Sequence, residues 1–193
     1  MGSVANSGTI YDGSPVGSYF TMDLGSAGLG SQLTSIQVSL NVSGGYNGNL
    51  YSYLVAPNGT VVVLLNQPGV TGSTPFGNTQ SGLNITLANG GGAIAAGNGS
   101  DLSTGTYAVP TANGNSLLNF GSVGSPGVNP NGTWTLFFAD MVSGGGNETL
   151  NGWSLDITAV PEPVSMAMLV FGAILGVIGV ARSRSAQNRL SAW

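Results

Sequence analysis

The sequence predicts an all-β protein, an antiparallel jelly roll or β-sandwich of about eight strands, followed by one C-terminal transmembrane helix. Two observations indicate the sandwich: short apolar stretches alternate with polar residues, and 33 glycines are spread along the chain without a three-residue period. A third observation marks the tail, because a long uncharged apolar run near the C-terminus is followed by every cationic side chain. We therefore expect a sandwich over residues 10–159 and a tail over residues 160–193.

The strands are predicted from alternation and turns. In Ile36–Val42, apolar residues alternate with polar ones, as in a strand with one buried face. Leu50–Ala56 and Thr60–Leu65 flank Pro57-Asn58-Gly59, and an Asn-Gly pair between two such runs predicts a β-hairpin. Because Ala88–Thr104 is rich in glycine, we expect a loop there. The other predicted strands are Tyr19–Leu24, Leu83–Leu87, Thr106–Val109, Trp134–Ala139 and Trp153–Thr158.

The composition excludes several classes of function. Charged residues make up 5% of the chain, and Cys, His and Lys are absent. The usual zinc sites, Ser-His-Asp triads, cysteine nucleophiles and Schiff-base lysines therefore cannot form. All cationic side chains lie after Ala181, so the body cannot neutralise phosphates and we expect no nucleic-acid partner. We predict that the chain is not an enzyme and has no catalytic residues.

Asp140 and Glu148 are the two acids that lie close together both in the sequence and in the predicted turns. Paired carboxylates about 5–10 Å apart serve glycosidases, which is the competing enzymatic interpretation. The simplest structural interpretation places Asp140 at a strand end and Glu148 in a glycine-rich turn. Together with loop carbonyls they are also candidate ligands of Ca²⁺, which prefers oxygen. No other cofactor is expected. Trp134 and Trp153 are predicted to be core residues on neighbouring strands of a closing hairpin, and ligand stacking is the alternative.

The tail has the dimensions of a membrane span. Residues 164–181 carry no charge, and a helix of this length would extend about 27 Å, close to the hydrocarbon thickness of a bilayer. Pro161 and Pro163 end any preceding strand, and Arg182 and Arg184 would hold the far end in the cytoplasm. A buried core helix is the alternative, but an all-apolar terminal run fits amphipathic packing poorly.

Val160-Pro161-Glu162-Pro163, the apolar span and the arginine-rich end together resemble the PEP-CTERM sorting signal of Gram-negative bacteria. The resemblance implies export, an intermediate anchored in the inner membrane, and recognition by an exosortase that processes the chain near Pro-Glu-Pro. It also implies delivery to the cell surface or to the extracellular polysaccharide of a biofilm matrix. The residues that carry this expectation are Pro161, Glu162, Pro163, Arg182 and Arg184.

A second resemblance covers the body. Asn131-Gly132-Thr133-Trp134-Thr135-Leu136, then Asp140, then Gly152-Trp153-Ser154-Leu155 resemble the closing half of the proprotein convertase P domain. Residues 45–69 are similar to its first half, with Asn49 where the family usually has Asp. This implies a jelly roll over residues 10–158.

Together these features favour an exported surface or matrix protein that is structural or binds a ligand such as extracellular polysaccharide. P domains stabilise or position subtilisin-like proteases. The alternative is therefore an accessory module that stabilises or regulates a separately encoded protease of that type.

Overall fold

The computed structural model describes residues 2–4, 7–94, 102–125 and 127–161, with side chains from residue 7 onward. Ten strands in this part of the chain form two sheets, so the prediction of a mostly β protein is confirmed. The strands are β1 (Gly2–Val4), β2 (Gly8–Ile10), β3 (Ser18–Asp23), β4 (Gln32–Gly44), β5 (Leu50–Val55), β6 (Val61–Asn66), β7 (Leu83–Gly92), β8 (Thr104–Tyr107), β9 (Thr133–Asp140) and β10 (Glu148–Val160). Three short 3-10 helices are Asn47–Asn49, Ala112–Gly114 and Leu117–Phe120.

The two sheets pack face to face. The six-stranded sheet has the order β1-β10-β4-β7-β8, with β2 also paired to β10. The four-stranded sheet has the order β3-β9-β5-β6. Alternate residues of each sheet point inward, as the pleat requires, and form one apolar core. Typical members are Val38, Leu40 and Val42 of β4 and Leu136 and Phe138 of β9.

Both predicted tryptophan anchors lie in this core. Trp134 is 0% exposed, its ring meets Phe120 edge-to-face at 5.2 Å, and its Nε1 donates to the carbonyl of Pro130 at 2.9 Å. Trp153 is also buried. The expectation that they lie on neighbouring strands of one hairpin is wrong, because β9 and β10 belong to different sheets. Residues 141–147 cross from one sheet to the other.

Two further expectations need correction. β7 continues to Gly92, through the first residues of the predicted Ala88–Thr104 loop, while residues 95–101 of that loop lie outside the described residues. Among the described strand pairs, β7 and β8 are the one parallel pair. Parallel strands need a long connection, because the chain must return to the end of the sheet where the first strand began. The segment between β7 and β8 is long enough for this, whereas a tight hairpin is not.

The predicted hairpin at Pro57-Asn58-Gly59 is confirmed as the β5–β6 connection. Gly59 has φ +86°, and Asn58 Oδ1 accepts a hydrogen bond from the Thr60 N–H at 3.0 Å. The outer strand of this hairpin, β6, is the edge of its sheet. There the Asn115 side chain accepts from the Val63 N–H and donates to the Val63 carbonyl, both at 2.9 Å.

The sandwich ends where the tail was predicted to start. Val160 closes β10 and is the last residue of the first of two units into which the chain divides. Pro161, the last described residue, is exposed. The predicted span 164–181 and the sorting residues Glu162, Pro163, Arg182 and Arg184 lie outside the described residues. Within the described ranges, no helix has both the length and the apolar character needed to cross a bilayer.

Candidate cation site at one end of the sandwich

Asp140 and Glu148 meet at the end of the sandwich where the chain passes between sheets. Asp140 is the last residue of β9 and pairs with Leu50, the first residue of β5. Glu148 is the first residue of β10 and pairs with Gly44 on one side and with Ile10 on the other. The two carboxylates therefore come from opposite sheets, and residues 141–147 close the loop between them.

Both carboxylates are completely buried. Asp140 and Glu148 are each 0% exposed. Asp140 Oδ1 accepts a hydrogen bond from the Val142 N–H at 2.9 Å. Asp140 Oδ2 and both Glu148 oxygens accept no hydrogen bond from an N–H or hydroxyl group, and the two carboxyls can hydrogen-bond only to each other if a proton lies between them. No cationic side chain occurs in the sequence before Arg182, so none in the body can neutralise the pair. Buried charge without a partner is strongly unfavourable.

A neutral amide side chain contacts two backbone carbonyl groups in the segment that follows Asp140. The Asn49 side chain is 2% exposed, and its Nδ2 donates to the carbonyls of Val142 and Gly144 at 2.9 and 3.0 Å. Its Oδ1 is left without a partner. On the other flank, Asp12 Oδ1 accepts from the Gly144 N–H at 2.8 Å. Asn49 and Asp12 thus hold the connection between β9 and β10 beside the buried acids. We call Asp140, Glu148 and Asn49 the acidic site.

The electrostatics of the acidic site disfavour two free negative charges. Burial raises the pKa of Glu148 to about 8, and the neighbouring charge of Asp140 adds to this effect. Burial also raises the pKa of Asp140, with a further contribution from the charge of Asp12, whereas the Val142 N–H acts in the opposite direction. A proton or a cation held between the two carboxylates would relieve this repulsion.

Glycine makes room for the Glu148 carboxylate. Gly45 has φ +53°, and a Cβ built on it would overlap the Glu148 side chain. The preceding Gly44 lies against the Asn147 carbonyl, which would be 2.7 Å from an added Cβ. Both glycines are needed because β4 must end and turn away directly beside the acid.

The structure brings together the two acids that the sequence singled out, with one difference. Glu148 was expected in a glycine-rich turn and is instead a buried strand residue. Gly45 was not predicted as part of the site, because its distance in sequence hides its contact with Glu148. Asn49 was noted only as a departure from the P-domain pattern, and it holds the connection that follows Asp140. Across the described ranges, no three His, Cys, Asp or Glu side chains come together as a metal cluster, so a cation here would need neutral oxygens as well.

The comparisons with known proteins say little about this site. No family model and no curated protein matches the chain. Two solved structures are similar to it, the serine protease of Aeromonas sobria and the complex of that protease with the chaperone ORF2. In each case the identity is 16%, the match covers 81% of this chain and 25% of that chain, and the TM-score is 0.40. This chain thus spans a quarter of the chains it matches.

A likeness at that level carries no functional argument. The sorting tail and the accessory-module alternative both stay predictions.

Proposed function

We propose that this chain is a non-catalytic β-sandwich module that binds Ca²⁺ between its two sheets and works outside a Gram-negative cell. The observation that carries the proposal is the fully buried carboxylate pair Asp140 and Glu148, in which three oxygens accept no hydrogen bond from an N–H or hydroxyl group. Ca²⁺ accepts carboxylate, amide and carbonyl oxygens in a flexible geometry. Asp140, Glu148 and Asn49 Oδ1 would supply the first three of these ligands.

The burial of the pair supports a structural role over catalysis. A general acid and base must come within hydrogen-bond reach of a substrate. Because both carboxylates are 0% exposed, a glycan could reach them only if the end of the sandwich opened. The same burial favours a small ion, which needs no access path larger than its own hydration shell.

An extracellular location agrees with a site of this kind. Extracellular calcium modules bind with Kd values of about 0.1–1 mM, and sites with few charged ligands belong to the weaker classes. The tail that resembles a PEP-CTERM signal supplies the route. The chain would be exported, held in the inner membrane by residues 164–181, cut by an exosortase near Pro161, and delivered to the cell surface or matrix.

The test is thermal unfolding of the full chain in a non-ionic detergent at pH 7.5, followed by circular dichroism. With Kd near 0.1 mM, 1 mM Ca²⁺ should stabilise the fold by about 1.4 kcal/mol over EDTA. This would raise the Tm by about 3–6 °C. The same concentration of Mg²⁺ should do less, because Mg²⁺ needs stricter octahedral geometry.

Two Asp-to-Asn variants show whether the calcium response of the Tm arises at the acidic site. Asp140→Asn should remove the response to Ca²⁺, whereas Asp156→Asn should keep it, because Asp156 is an exposed acid of β10 that lies away from the site. A Tm that is the same in EDTA and in millimolar Ca²⁺ would show that the pair is satisfied by a shared proton. A shift that Asp140→Asn retains would place the ion elsewhere, and either result would overturn the calcium proposal.

A further inference from the structure

The outer face of the four-stranded sheet carries a row of aromatic side chains in mutual contact. Tyr19 of β3 pairs with Phe137 of β9, and Phe137 pairs with Tyr53 of β5. Tyr51 lies two residues before Tyr53, on the same face. The ring centroids are 5.0 Å apart for Tyr19 and Phe137 and 4.6 Å apart for Tyr53 and Phe137, which are stacked. We call Tyr19, Phe137, Tyr53 and Tyr51 the aromatic row.

The aromatic row combines apolar rings with hydroxyl groups. Phe137 is 6% exposed and forms its floor, whereas Tyr19 is 63% exposed and stands above the sheet. The hydroxyls of Tyr19 and Tyr53 lie 3.5 Å apart in a long hydrogen bond, which raises the pKa of Tyr53 to about 12. A ligand at this surface would therefore meet ring faces and two neighbouring neutral hydroxyls.

The side chains next to the aromatic row on this face are small and do not cover its rings. The next cross-strand set consists of Thr21, Thr135 and Val55, which are smaller than tyrosine. At the other side Gly17, with φ +64°, lies against the Phe137 ring, where a Cβ would overlap it. The aromatic row therefore projects above the smaller side chains beside it, and an extended ligand chain can lie along it.

The charges of the body limit the class of ligand that the aromatic row can bind. Within the four strands of this sheet, the one charged side chain on the outer face is Asp23, at the far end of β3. The body contains acids and no cationic side chain before Arg182. An anionic polymer or an anionic lipid surface would be repelled.

We propose that the aromatic row binds a neutral polysaccharide. Sugar rings present C–H groups that are attracted to the negative face of an aromatic ring, and their hydroxyls can pair with those of Tyr19 and Tyr53. The hydroxyls of Tyr19 and Tyr53 meet beside the buried Phe137, so the two tyrosines form one joint contact surface for one or two sugar units of a longer chain. This inference rests on the proposed function, since such a polymer is met outside the cell.

Affinity electrophoresis tests the inference with the full chain. The protein is run in native gels that contain hydroxyethyl cellulose, dextran or galactomannan, with alginate as the anionic comparison. A polyoxyethylene detergent is used because it has no sugar headgroup. Retardation should occur with at least one neutral polymer and should be absent with alginate. Tyr19→Ala should lower the association constant about two- to tenfold, the scale of one aromatic contact.

Matched variants show whether the row is the site. Tyr11 is 61% exposed and belongs to no strand, so Tyr11→Ala makes the same change at equal exposure and should leave retardation unchanged. Tyr19→Phe should keep most of the binding because the ring remains. Thermal unfolding of each variant confirms folding, and the exposure of Tyr19 makes its removal tolerable.

Three outcomes would overturn the inference. These are no retardation by any neutral polymer, equal retardation of Tyr19→Ala and the parent chain, and a dimer that Tyr19→Ala dissociates in sedimentation. Neither the calcium response of the Tm nor export depends on these gels. Failure of the glycan site is therefore separable from failure of the proposed function.

Discussion

Asp140 and Glu148 belong to different sheets of the sandwich, yet the charge of Asp140 raises the pKa of Glu148. The connection between their strands passes over them and is held by Asn49 and Asp12. An ion or proton bound between the two acids would therefore act on the joint between the sheets. Its effect should appear in global stability and not only in the mobility of a loop.

Glu148→Gln should stabilise the calcium-free protein and abolish its response to Ca²⁺. The amide removes one buried charge and can donate to Asp140 Oδ2, which has no partner. Above pH 8 the gain is on the order of a few kcal/mol, since each pKa unit corresponds to about 1.4 kcal/mol. Urea unfolding in EDTA measures it. A lower midpoint for Glu148→Gln than for the parent chain would mean that the carboxylate is already compensated.

Stability in EDTA should fall as the pH rises from about 4.5 to about 8. The folded-state pKa of Glu148 lies above its ordinary value of 4.5, so the unfolded chain releases its proton first and the fold loses that contribution as Glu148 ionises. The neighbouring acid Asp140 opposes the ionisation of Glu148, and Asp12 in turn opposes the ionisation of Asp140. Urea midpoints at pH 5 and pH 8.5, with and without Ca²⁺, measure the effect.

The comparison with Glu148→Gln isolates this group from the other carboxylates. The fall between the two pH values should be smaller in the variant, and Ca²⁺ should reduce it in the parent chain. Parallel pH profiles for the two proteins would show that Glu148 does not titrate in this range.

Trp134→Ala should cost about 3–5 kcal/mol of unfolding free energy. The indole is completely buried, contacts Phe120 edge-to-face and donates a hydrogen bond to the Pro130 carbonyl, so truncation leaves a cavity and an unpaired oxygen. Trp153→Ala should cost a similar amount from the opposite sheet. Leu118→Ala is the control, because Leu118 is 47% exposed. Unchanged urea midpoints for both tryptophan variants would contradict the core assignment.

Gly45→Ala should damage the acidic site, whereas Gly59→Ala should not. Both glycines have positive φ and carry the same backbone strain on substitution, about 1 kcal/mol. A Cβ at Gly45 would overlap the Glu148 carboxylate, whereas a Cβ at Gly59 would have nothing within 4 Å. Calcium titrations by Tm should show a lost response in the first variant only. Equal responses would place the ion away from Glu148.

Sorting should depend on both ends of the tail. Glu in place of Arg182, Arg184 and Arg189 should misorient or release the chain, since cytoplasmic arginines set the orientation of a span. Changing Pro161 and Glu162 to Ala should leave the chain inserted but uncut. The measurement is fractionation of a tagged chain, with a signal peptide supplied, in cells with and without an exosortase. The same size and location in both strains would leave a plain membrane anchor.

The sequence predicted strands well and their partners poorly. Alternation in Ile36–Val42 depends only on which face of one strand is buried, and the Asn58-Gly59 turn depends only on neighbouring residues. Both predictions are therefore confirmed in the structure. Assignment of β9 and β10 to different sheets depends on how residues 141–147 cross the end of the sandwich, which local pattern does not encode. The same holds for the acidic site, since Gly45 meets Glu148 only once β4 pairs with β10, and Asp140 meets Glu148 only once the two sheets pack.

The aromatic row likewise could not be predicted from local sequence pattern. Tyr19, Tyr53 and Phe137 are ordinary strand residues in the sequence, where tyrosine and phenylalanine are common. Their pairing across β3, β9 and β5 follows from the strand order β3-β9-β5, in which the chain-distant β9 lies in the middle. Short β1 and β2 were missed because three residues are too few to show alternation.

The Asn115 side chain at the edge of β6 also bears on how such a protein behaves at high density. Its amide presents Val63 with the donor and acceptor that a further strand would otherwise supply. An open edge invites strands of other molecules and leads to fibres. By pairing with Val63 in the middle of that edge, Asn115 should hinder other molecules from adding a strand to β6, which matters in a body whose few charges provide little electrostatic repulsion between copies.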